Sequence, residues 1–75
     1  MREAFDQTIA YLRPAYPYLY EMFWSGLQPI SYASGVLVIA APDERRREMC
    51  AVRHAGLIGR TLRLVTGRNV QVQFV

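Results

Sequence analysis

Residues 23–42 read FWSGLQPISYASGVLVIAAP, Phe23 to Pro42, and the way this stretch folds decides the rest. Phe23-Trp24 reads as the end of a helix, a strand starts near Pro29, and Ser34-Gly35 makes a tight turn into a second strand, Val36–Ala40. Glycine supplies such a turn because it takes positive φ without a steric cost. The second strand is β-branched and apolar throughout, as suits a strand covered on both faces or nearly so. Pro42 ends it, having no N–H for a ladder. Asp43 then caps a helix by accepting from its first free N–H groups. One hairpin therefore launches a helix, and in a chain of 75 residues only the flanking segments can cover it.

Upstream, Ala4, Phe5, Thr8, Ile9 and Leu12 recur at helical spacing and predict a helix over Arg2–Leu12. Arg13-Pro14 closes it, since the residue before proline is pushed out of the α region. A second helix is expected from about Ala15 to Ser25-Gly26, with Tyr16, Leu19, Tyr20, Phe23 and Leu27 on its core face. Tyr18 and Trp24 fall off that face, as Tyr11 does in the first helix. Partly exposed aromatics of this kind mark either a contact surface for protein or single-stranded nucleic acid, or the rim of a small core with polar tips outward.

Downstream, Asp43 opens the longest helix, which runs to about Val65-Thr66 and stops at Gly67. Cys50, His54, Leu57, Ile58, Thr61 and Val65 gather on its inner side. Arg46, Arg53 and Arg60 stack at seven-residue spacing on another, either as a phosphate-contacting stripe or as a solvated face. Gly56 and Gly59 allow either close backbone packing or a kink. Asn69–Val75, NVQVQFV, alternates as a half-buried strand. The order α-α-β-β-α-β predicts an α+β domain of two layers, a three-stranded sheet with helices on one face and the last strand parallel to the second.

Length and composition narrow the function. One small domain is expected, with a thin core. No apolar run is long enough for a membrane span, and no secretory signal is visible. A single cysteine, Cys50, excludes an internal disulfide and fits a reducing compartment. One Cys and one His cannot furnish a structural zinc site. All nine basic residues are arginine and the formal charge is +3, a moderate basic bias that permits contact with phosphates or an acidic surface. Neither a P-loop nor a dinucleotide fingerprint is present. His54 points to the expected core, where a lone histidine is a hydrogen-bonded structural group, and Cys50 behaves there as a small hydrophobe. No catalytic constellation and no cofactor site is read.

The string from Phe23 to Pro42 resembles the N-terminal domain, domain I, of the bacterial replication initiator DnaA. The features carrying the resemblance are Phe23-Trp24, Leu27, Pro29-Ile30, Gly35–Pro42, Asp43, then Leu57-Ile58, Leu62, Gly67 and Val70–Val75. It covers nearly the whole chain, through core and turn positions that are moderately specific. The resemblance implies a KH-like fold, a cytoplasmic location, self-association as a weak homodimer or oligomer, docking of the replicative helicase or a regulatory protein, and weak contact with single-stranded DNA. Phe5 lines up with the family's self-association aromatic. Leu19 stands near a helicase-contacting acid, and Arg45 where an aromatic is common; both are departures. Tyr18, Trp24 and Arg45 complete the expected protein-contact surface, with Arg46, Arg53 and Arg60 as the expected nucleic-acid contacts. The C-terminal part of the clamp-loader tau subunit and the helicase-loading DciA family share the same strand–helix–strand ending and are the alternatives, together with a KH-like nucleic-acid binder.

Overall fold

The computed structural model describes all 75 residues, Met1–Val75. Helix α1 spans Arg2–Ala15, and α2 spans Pro17–Leu19 and runs directly into a π turn, Tyr20–Trp24. Strands β1 (Gln28–Ala33) and β2 (Val36–Ala40) form the hairpin. Helix α3 (Glu44–Met49), a second π turn (Cys50–His54) and α4 (Ala55–Thr66) make up the long helix, and β3 is Gln71–Phe74. The sheet order is β1-β2-β3, with β1 antiparallel and β3 parallel to β2. The fold is the expected two-layer α+β arrangement, its helices on one face of a mixed three-stranded sheet.

The local signals act as their chemistry demands. Ser34 and Gly35 both take positive φ, 52° and 78°, as a two-residue hairpin turn of the primed type requires. The Asp43 carboxylate accepts from the backbone N–H of Arg46 at 2.8 Å and caps α3. That hydrogen bond, with the Arg46 guanidinium behind it, holds the Asp43 carboxyl below its usual range. Gly67 ends α4 in the left-handed region, its N–H donating to the Arg63 carbonyl. No helix is long and apolar enough to cross a membrane.

Two boundaries and one burial pattern differ from expectation. Helix α1 continues through Pro14, which removes one helical bond near the helix end, while the chain still closes helically beyond it: the Tyr16 N–H donates to the Leu12 carbonyl. Tyr16 itself leaves the helical region, so the second helix begins at Pro17 and Tyr16 lies at the surface rather than in the core. Strand β2 alternates instead of being covered on both faces. Leu37 and Ile39 are buried against the helices, while Val36, Val38 and Ala40 stay half-buried on the open face, flanked by Gln71 and Gln73 of β3.

The core joins Phe5 and Leu12 of α1, Phe23, Trp24 and Leu27, Leu37 and Ile39 of β2, Cys50, Ile58 and Leu62 of the long helix, and Val70 and Phe74. A domain of this length has a total stability of about 4–11 kcal/mol. Ile39 is fully buried on the central strand. Ile39→Ala is therefore expected to cost about 2–5 kcal/mol, a large part of the total, read as a lower urea midpoint at unchanged slope.

Candidate interaction surfaces

The two π turns face each other, and their meeting determines which aromatics reach the surface. A π turn closes i→i+5 hydrogen bonds and so contains one residue more than an α turn; here the Ser25 N–H donates to the Tyr20 carbonyl at 2.8 Å. The extra residue rotates the downstream side chains by roughly 100°. Trp24 is thereby carried round to the inner side beside Phe23, where it is only 1% exposed. This corrects the expectation of a partly exposed Trp24.

Opposite Trp24, the second π turn presents His54, 6% exposed. The Trp24 Nε1–H donates to His54 Nδ1 at 2.9 Å, with the two rings nearly perpendicular and 5.5 Å apart. Phe23 packs on the same imidazole at 5.4 Å. The Cys50 thiol points to the Phe23 carbonyl at 3.6 Å, and burial pushes its pKa up to about 11. Tyr16 closes the outside of this cluster, its ring edge-on to Trp24 at 6.1 Å. His54 is the buried, hydrogen-bonded histidine that its place on the wheel predicted.

The same insertion breaks the arginine stripe. Arg46 lies before the second π turn and Arg53 and Arg60 lie within or beyond it, so the seven-residue spacing no longer keeps all three in phase. Arg46 is half-buried and its guanidinium is bound to Asp43, while Arg47 is bidentate on Glu44. Arg53 and Arg60 are exposed. Gly56–Gly59 spells the glycine pattern of a KH clamp but lies inside α4, where no loop is free to grip a nucleic-acid backbone.

The remaining expected contact residues scatter. Phe5 is 3% exposed and faces the core, so its ring is not a surface group. Tyr18 is 71% exposed at the α1–α2 corner, and Leu19 beside it is half-buried. Arg45 is exposed at the start of α3 with its guanidinium 5.8 Å from the Phe23 ring centre.

Sequence reading missed two grooves that flank α1. On one side Asp6, Ile9, Ala10 and Arg13 of α1 face Tyr20, Trp24 and Leu27 across a depression of about 270 Å³, with Phe5 in its floor. Arg13 lies over the Tyr20 ring at 4.1 Å. On the other side α1 meets α4: Met1, Glu3, Ala4 and Gln7 lie against Val65, Thr66 and Arg68, and Tyr11 lies against Thr61, Leu64 and Val65. The signal for both was in the wheel of α1, whose positions 6, 9, 10 and 13 and positions 3, 4, 7 and 11 border the core stripe on opposite sides.

Compared with known proteins, the chain matches no family model and no curated sequence.

The Trp24–His54 pair has a pH consequence. Burial, and secondarily the nearby Arg53 charge, lower the His54 pKa below 6.5. Folding favours the neutral ring, so in the window between the folded and unfolded pKa values the unfolded chain binds more protons, and stability falls as pH falls through it. Trp24 is the only tryptophan and His54 the only histidine, so the emission of Trp24 reports this site directly. It is expected to titrate with a midpoint below 6.5, alongside a drop in thermal stability. His54→Gln should abolish the titration. A midpoint at or above the ordinary histidine value contradicts the arrangement.

Proposed function

We propose that this domain is a protein-interaction module of the initiator domain I kind, acting by weak self-association and by docking a replicative helicase or regulatory protein in the cytoplasm. Two features support the reading. The element order and sheet topology are those the resemblance implies. The exposed apolar surface is aromatic-rich at the α1–α2 corner, where Tyr16 and Tyr18 lie beside Arg13, and such residues anchor interfaces. Contact of exposed Arg53 and Arg60 with single-stranded DNA is secondary, being purely electrostatic and hence salt-sensitive.

The observation that carries self-association is the α1 stripe Asp6, Ile9, Ala10, Arg13. When two such helices pack antiparallel about a two-fold axis between Ile9 and Ala10, every position meets its complement. Asp6 faces Arg13 of the second copy and Arg13 faces Asp6, while each Ile9 sits on the small Ala10 opposite. A two-fold interface must be self-complementary in this way. The buried Phe5, beneath this stripe, then shapes the dimer surface without touching the partner.

Sedimentation tests this. The wild-type chain is expected to dimerise weakly, in the micromolar to millimolar range. Ala10→Arg should yield monomer at all concentrations. Asp6→Arg turns two symmetric attractions into repulsions and should weaken association about tenfold, and adding Arg13→Asp should restore it. A wild-type chain that stays monomeric to millimolar concentration removes self-association from the proposal.

A further inference from the structure

The far side of α1 carries a second surface with a different partner. Leu64 is 82% exposed and Tyr11 is 72% exposed, more than any other large apolar residues except Val52. They face each other across the groove between α1 and α4, with Thr61 and Val65 completing its lining, in a depression of about 210 Å³. Val65 is shared with the neighbouring depression toward Arg68. The two therefore adjoin as one furrow between α1 and α4, a shape that suits a docked helix.

The charge around this furrow is one-sided. From Met49 to Val75 the chain has Arg53, Arg60, Arg63 and Arg68 and no acidic residue. Arg60 lies one turn before Leu64 on the same ridge, exposed, folded back over Gly56 and without a carboxylate partner. Arg68 follows the Gly67 stop, past the end of α4. Arg63 is occupied by the Val70 carbonyl at 3.0 Å. Glu3 is the one acid along the furrow, and it lies at the Arg68 end, so the strongest uncompensated positive charge is at Arg60.

We infer that the α1–α4 furrow docks an acidic amphipathic helix from another protein, its leucine-type side chains on Tyr11, Leu64 and Val65 and its carboxylates on Arg60. A second copy of this chain is disfavoured by charge. Two copies would bring together Arg60 and Arg68 from each, with Glu3 the one answering carboxylate along the furrow, and the surplus of like charge repels. Single-stranded nucleic acid is disfavoured by the lining. Stacking needs aromatic faces, and Tyr11 is the only one here, set among aliphatic side chains.

This docking does not depend on self-association, because it uses the opposite side of α1 and leaves Ala10 free. The test uses the whole chain and three fluorescent probes: a helical peptide with leucines on one face flanked by glutamates, the same peptide with lysines for glutamates, and oligo-dT. The acidic peptide is expected to bind, and more weakly as salt rises. Its amide shifts on the protein should centre on Tyr11, Arg60, Leu64 and Val65. Leu64→Ser and Arg60→Glu, both at exposed positions that leave the core intact, should each weaken binding about tenfold. Ala10→Arg should leave binding unchanged, which separates this outcome from failure of the dimer. Equal binding of the acidic and basic peptides, preference for oligo-dT, or shifts confined to other faces would each overturn the inference.

Discussion

The structure depends on one buried hydrogen bond, from the Trp24 indole to the His54 imidazole. Each ring comes from a π turn, and each turn gives up regular α geometry to aim its ring at the other. In the first turn the Ser25 hydroxyl also donates to the Glu21 carbonyl at 3.2 Å while the Ser25 N–H donates to that of Tyr20. Together the two turns satisfy two polar atoms that would otherwise be stranded in the core, a penalty of about 1–3 kcal/mol for each orphaned group. The bond also ties the aromatic second helix to the long third one, so that β2 is roofed by a single connected layer rather than by separate rods. Phe23 and Cys50 lock the same crossing from either side.

That constraint explains what the sequence made legible and what it hid. The strand Val36–Ala40, the Ser34-Gly35 turn, the Asp43 cap and the Gly67 stop are all decided by chemistry within a few residues, and each lies where the local signal places it. His54 was legible too, since a lone histidine on an apolar face has to find a partner. The π turns were not. The two turns meet in a contact 30 residues apart in sequence, and a wheel drawn at constant pitch carries no trace of them. The insertions change the helical phase, which is why Trp24 reads as rim and is core and why Arg46 falls out of register with Arg53 and Arg60 across the second π turn; the pairing of Arg46 with Asp43 is a local cap contact. Tyr16 was misplaced for a related reason: the break between α1 and α2 falls at that residue and takes it out of helical phase.

With its interior filled by this crossing, the domain's candidate contact surfaces are the two flanks of α1. The two flanks differ in charge. Asp6 and Arg13 on α1 give one side both signs of charge, while Arg60 of α4 and Arg68 beyond it leave the other side mainly positive. The segregation of acids into residues 1–48 and of unopposed arginine into 49–75 is what creates the difference.

The most direct test of this account is the tautomer and exchange behaviour of the clasp, measured by long-range proton–nitrogen NMR near neutral pH. The account predicts a neutral His54 with its proton on Nε2 and Nδ1 unprotonated, and a Trp24 Nε1–H that exchanges with solvent as slowly as the amides of β2. A proton on Nδ1, or an indole N–H that exchanges at the rate of an exposed group, would contradict it.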